Sequence, residues 1–206
     1  MEHTSNQIVL RGTLNQLPRF SHENHGKKFY RFELEVPRLS GTVDLLPVIA
    51  REGVLDQMDL SGGQWICLRG QIRSFRNPEP LGQRLCIYVF AEELRTDDGE
   101  PCNEVELWGT ISKKPIYRRT PLGREICDVM LTVARAYGRV DHLPCIFWGR
   151  TGVEISQGNV GDRVWLTGRL QSRGYKKMTQ TGVEERTAYE ISALTAQLQQ
   201  EIQHDT

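Results

Sequence analysis

The chain repeats itself. Asn6 to Arg38 and Asn103 to Arg135 align without a gap at an offset of about 97 residues. Gly12-Thr13 stands opposite Gly109-Thr110, Pro18 opposite Pro115, and Phe20 opposite Tyr117. Leu34, Val36 and Arg38 stand opposite Leu131, Val133 and Arg135. A repeat of this length must be settled before any fold assignment. It divides the 206 residues into two similar units, each of ordinary domain size.

Within each unit apolar residues alternate with polar ones, the period-two signature of half-buried strands, and Pro/Gly clusters mark the turns. Five strands are expected in the first copy: Ile8 to Leu14, Phe29 to Val36, Gly41 to Ala50, Trp65 to Arg73 and Leu85 to Leu94. The second copy repeats the course with Val105 to Ile111, Ile126 to Val133, Val140 to Trp148, Val164 to Arg173 and Thr187 to Ala193. A loop or short helix separates the third and fourth strands of each copy, and a long hairpin joins the fourth to the fifth. That is the plan of a five-stranded OB-fold barrel, a fold that holds oligonucleotides on one face. The expected class is all-β, two tandem OB-fold barrels from an internal duplication. The boundaries are 1–96, an acidic linker at 97–102, a second barrel at 103–195, and a polar tail at 196–206, read as a fraying helix or coil from Leu194 onward.

Composition is that of an ordinary soluble chain, with no apolar run long enough to span a bilayer and nothing resembling a signal peptide. A cytoplasmic, nucleoid-associated location is expected, with no membrane partner. The five cysteines form no CxxC pair, and Cys127 and Cys145 face Tyr30 and Val48 of the other copy. They read as reduced structural thiols, with no metal or other cofactor implied. No P-loop, nucleophile elbow or HExxH occurs, and Asp141, Asp162 and Glu190 stand apart at strand ends, so catalysis is not expected.

Net charge is zero, but its distribution is uneven. Lys113 to Arg124 holds five basic residues and no acid, and Arg163 to Lys177 again holds five and none. Two acid-free clusters beside turns point to a surface that tracks phosphates.

The second copy resembles the bacterial single-stranded DNA-binding protein family. The resemblance rests on an ordered series: Asn103, Gly109, Pro115, Arg118-x-Thr120, Gly123, Arg135, Asp141-x-Leu143-Pro144, Phe147-Trp148-Gly149, Gly168-Arg169-Leu170, Arg173-x-Tyr175 and Glu190-Ile191. The first copy echoes it more weakly through Asn6, Gly12, Pro18, Asp44 and Gly70.

The resemblance implies sequence-tolerant binding of single-stranded DNA, with bases stacked on rings and phosphates met by cations. It implies strand-contacting roles for Tyr137, His142, Trp148 and Tyr175 and for Arg118, Arg124, Arg135, Arg169, Arg173, Lys176 and Lys177. It also implies a homodimer that assembles four barrels, and work in replication, repair or recombination.

By alignment the first copy has Leu45 and Arg51 where the second has His142 and Trp148, so its face is expected to be poorer in rings and less basic. Two roles stay open for it: weak strand binding through Arg69, Arg73, Phe75 and Arg76, or packing against a neighbouring barrel. The chain ends in Gln203-His204-Asp205-Thr206 without the acidic, apolar-tipped tail that recruits replication and repair proteins in this family. The competing reading is a tandem-barrel protein adaptor with little affinity for DNA.

Overall fold

The structure is a computed structural model and describes residues 6–77, 85–179 and 182–200. The expected hairpin tip around 78–83 and the last residues of the tail lie outside them. The fold is all-β. The first barrel runs β1 (Asn6–Leu14), β2 (Arg19–Asn24), β3 (Lys27–Pro37), β4 (Val43–Arg51), the short helix α1 (Glu52–Leu55), β5 (Trp65–Arg76) and β6 (Leu85–Thr96). The second repeats it with β7 (Cys102–Ile111), β8 (Ile116–Arg119), β9 (Glu125–Ala134), β10 (Val140–Trp148), α2 (Gly149–Ser156), β11 (Arg163–Thr179) and β12 (Gly182–Gln199).

Each unit is the five-stranded OB barrel with one added short strand, β2 or β8, paired to its neighbour in the segment expected as a loop or basic turn. The expected tail from Leu194 is instead strand. Ala196 to Gln199 pairs in register with Leu166 to Arg163, and Ala196 and Leu198 pack on the core. The ladder satisfies backbone groups that an isolated polar segment would leave to water.

The alternating apolar residues fill the barrels. Ile8, Leu10, Leu34, Leu46, Leu107, Leu131, Leu143, Phe147 and Leu166 are wholly buried. Ile146, whose place in the alternation of β10 is outward, is buried as well. Closing each barrel requires β5 and β11 to coil sharply, and both do so at a glycine beside a register shift. A β-carbon on Gly70 would lie 2.1 Å from the Phe90 carbonyl oxygen, and one on Gly168 would lie 2.4 Å from that of Ser192. Past these bulges an asparagine takes over from the ladder. Asn6 donates to the Ile72 carbonyl (2.6 Å) and accepts from the Ile72 N–H (2.9 Å). Asn103 does the same with Leu170 at 2.7 and 2.9 Å.

The barrels are joined edge to edge. β1 pairs antiparallel with β7, and Ile8 lies opposite Val105, its own counterpart in the repeat. Pairing of equivalent residues puts a local two-fold axis between them, and all twelve strands form one continuous sheet. The outward side of the joint also seats the linker: Arg11 pairs with Asp97 (3.1 Å) and donates to the Glu100 carbonyl (2.8 Å).

Two matching ties flank the axis. Arg38 binds the buried Asp44 of its own barrel and reaches the Ser172 carbonyl of the other (2.7 Å). The Ser172 N–H and hydroxyl return to Asp44, each at 2.7 Å. Arg135, Asp141 and Ser74 repeat the arrangement: Arg135 reaches the Ser74 carbonyl (3.0 Å) and the Ser74 N–H meets Asp141 (2.6 Å). Burial pushes the Asp44 carboxyl up, but the hydrogen bonds from Arg38 and Ser172, with the Arg38 charge, bring it below the ordinary carboxylate value.

A carboxyl depressed in the folded state stabilises fully above its unfolded pKa of about 3.9 and loses that contribution as pH falls through the folded value. Stability should therefore drop below about pH 4. Asp44→Asn should flatten that drop and cost roughly 3–5 kcal/mol at neutral pH, because it leaves Arg38 without its partner. Denaturant titrations at pH 7 and pH 3 read both effects.

Candidate nucleic-acid interface

Side chains that point out of the barrels fall on two kinds of surface. One is the outer side of the central sheet around the joint. The other is the open face of each barrel, across β3, β4, β6 and β5 in the first and β9, β10, β12 and β11 in the second.

On the second barrel the open face carries His142, Pro144 and Trp148 from β10. Trp148 is 40% exposed, and its indole N–H donates to the Ser192 hydroxyl (3.1 Å), which fixes the ring on the surface. His142 is half-buried. Arg173 lies over the Tyr175 ring, 5.9 Å from its centroid, on the projecting β11–β12 hairpin. Lys176 and Lys177 are exposed beside it. Arg124 is exposed in the β8–β9 turn, and Tyr137 is almost wholly exposed on a left-handed backbone (φ 61°) before β10. Arg169 is half-buried next to Gly168.

Arg135 is placed elsewhere: its guanidinium is committed to Asp141 and Ser74 in the tie between barrels. Arg69 also leaves the open face, lying opposite Val9 on the outer side of the central sheet.

The acid-free runs of sequence are not acid-free in space. Arg118 pairs with Asp128, Arg119 with Glu125 (3.0 Å), Arg173 with Glu190 (3.4 Å) and Lys176 with Glu185 (4.0 Å). Each acid sits on the neighbouring strand, where linear spacing does not show it. Such exposed pairs contribute little stability and open readily to a competing phosphate.

The first barrel corrects its expected poverty in rings and cations. Its open face holds Phe29 and Arg31 from β3, Ile49 and Arg51 from β4, Arg73 and Phe75 from β5, and Tyr88 and Phe90 from β6. His22 stacks on Phe29 at 4.7 Å and 7° between planes, Phe29 meets Phe90 at 6.3 Å, and Phe75 meets Tyr88 at 5.7 Å. The Arg73 guanidinium lies 4.5 Å and that of Arg51 5.6 Å from the Phe90 centroid. Phe90 is buried beneath these cations and outside the barrel core cluster. Burial pushes Arg73 down from its usual value, and the nearby Arg135 adds to this.

No ion pair to Arg31, Arg51 or Arg73 occurs among the described residues. Cation–π contact leaves the charges of Arg51 and Arg73 in place. Tyr88 and Phe90 escape a reading by alignment because Glu190 and Ser192 occupy the corresponding β12 positions. Strand alternation alone could have flagged them as outward rings.

The model of the single-strand binding protein family matches residues 102–199. The match runs the length of the second barrel, from β7 to the end of β12. Structural similarity extends over both barrels. A deletion mutant of the single-stranded DNA binding protein from Thermus aquaticus superimposes with TM-score 0.77 and 21% identity, covering 100% of this chain and 98% of that one. The wild-type Thermus aquaticus protein gives TM-score 0.76 at 21% identity, over 98% of this chain and 95% of its own. No curated protein matches the chain. The family match thus falls on the barrel in which Arg118, Arg119, Arg173 and Lys176 are paired with acids, while Arg31, Arg51 and Arg73 of the other barrel have no ion pair among the described residues.

Placement separates two kinds of arginine. Arg135→Ala should lower the melting temperature by several degrees through the lost tie, and should leave the salt dependence of strand binding unchanged. Arg51→Ala should do the reverse, reducing the slope of log K against log salt by about 0.7, the release expected for one phosphate contact on a single strand. Thermal unfolding and titrations at several salt concentrations distinguish them.

Proposed function

We propose that this protein binds single-stranded DNA without sequence preference and without catalysis, using the open faces of both barrels. The observation that carries the reading is the open face of the first barrel: the rings of Phe29, Phe75 and Tyr88, with Phe90 beneath, interleaved with three arginines that have no ion pair among the described residues, on an OB fold whose sister barrel matches the model of the single-strand binding protein family. Every base offers a π-face, so ring stacking contributes about 1–3 kcal/mol per base whatever the sequence. The arginines meet the phosphates between stacked bases, and displaced counterions make the affinity fall with salt.

On the second barrel, Trp148, Tyr175, Arg173, Lys176 and Lys177 continue the surface, with Arg118 and Arg124 at its margin. Among the described residues no group of three His, Cys, Asp or Glu side chains is placed to hold a metal ion, and none of the described helices is long and apolar enough to cross a membrane. We assign the protein to the handling of exposed single strands in replication, repair or recombination, in the nucleoid-bearing cytoplasm. The outer side of the central sheet carries half-buried Trp65, Trp108 and Trp165 and suits the pairing of two chains into a four-barrel dimer.

Titration with oligo-dT and with duplex DNA at two salt concentrations tests this, following tryptophan fluorescence. Tight, salt-sensitive binding to oligo-dT alone is expected, with Phe75→Ala and Trp148→Ala each weakening it about 5- to 100-fold. No binding at low salt would overturn the reading and leave the adaptor role. Light scattering should return twice the 23.6 kDa chain mass.

A further inference from the structure

Arg19 and Arg31 are directly paired across the β2–β3 ladder. Both are exposed, Arg19 donates only to the neutral Gln16 amide oxygen (2.9 Å), and neither meets a carboxylate among the described residues. Like charges directly opposite on a sheet destabilise it, since the β-carbons are only about 5 Å apart. An anion seated between the guanidinium groups removes that cost.

Beside this pair opens a cleft of about 460 Å³, the size range of small-molecule sites. Both arginines line it, together with Phe75, Tyr88 and Ile49 of the first barrel. Tyr189, supplied by β12 of the second barrel, also lines it. Burial raises the Tyr189 hydroxyl, and the negative charges of Glu33 and Asp44 add to this, so the ring remains a neutral donor at physiological pH. Glu33 lines the cleft as well. A carboxylate there repels a phosphate and accepts from the N–H edge of a base. The lining therefore brings rings and a hydrogen-bond acceptor together with two exposed cations that have no ion pair among the described residues.

We propose that this cleft takes one nucleobase of the bound strand, turned out of its stack at the seam between the barrels, with the adjoining phosphate held between Arg19 and Arg31. The inference rests on the single-stranded DNA reading above and deepens it. The strand is gripped where both barrels contribute to the lining, so occupancy of the cleft fixes its position relative to both open faces.

The test is photocrosslinking with a series of oligo-dT strands, each carrying a single 5-iodouracil at a different position. At one position the crosslink should map to Tyr189, and Tyr189→Ala should abolish it while leaving oligo-dT bound. Arg19→Ala is the second variant, at an exposed side chain outside the open-face set. It should raise the melting temperature of the free protein by relieving the repulsion, yet reduce the salt slope of binding by about 0.7. Tight oligo-dT binding with no crosslink to Tyr189, or an Arg19→Ala protein that binds with an unchanged slope, overturns the cleft assignment and leaves the DNA-binding function standing. Failure to bind oligo-dT at all removes both.

Discussion

The backbone pairing of β1 with β7 is the constraint on which the rest depends. Because Ile8 faces its own counterpart Val105, the two barrels are related by a local two-fold axis and their sheets merge. An unpaired edge strand would invite association with other chains, and this joint consumes two such edges at once. The ties through Asp44 and Asp141 work at a distance from the axis and resist rotation about it. Each places a buried carboxylate where both barrels must supply its hydrogen bonds, so neither barrel satisfies its own acid alone.

Symmetry of the backbone has not kept the surfaces alike. The core positions, the bulge glycines and the ladder asparagines recur in both halves, since barrel closure demands them twice. The outward positions are free of that demand and have diverged. Phe29, Arg51, Tyr88 and Phe90 on one face correspond to Ile126, Trp148, Glu190 and Ser192 on the other. One face sets Arg51 and Arg73 over the Phe90 ring, and the other pairs Arg118 and Arg173 with Asp128 and Glu190. Unpaired guanidinium groups are ready for phosphate without first breaking a contact, whereas paired ones must exchange a carboxylate for it. The two faces are therefore expected to engage a strand with different strengths and different sensitivity to salt. The contrast was hidden by alignment to a family pattern, which directs attention to the half that matches.

Much of the architecture was legible in the residues. The repeat, the alternation in each expected strand and the Gly/Pro turns located ten of the twelve strands and the helical segment between the third and fourth of each barrel. The two short strands and the extension of β12 were not legible, because their residues are polar and only the neighbouring strand makes them a ladder. Trp148, Tyr175 and Lys177 were legible through the family resemblance. Arg135 was readable as conserved between the copies but not as a tie, since its partner Ser74 is 61 residues away in sequence.

What the sequence by itself determined is local and periodic: which side chains face inward, where the chain turns, and that one unit is used twice. Those follow from backbone geometry and the cost of exposing apolar surface, and both act over a few residues. Only the tertiary structure decided which charges are neutralised, which outward rings share a face, and that Tyr189 of one barrel lines a cleft on the other. Coulombic pairing and ring contact depend on distance in space, and in a β-barrel the nearest neighbour of a residue lies on another strand, tens of residues along the chain.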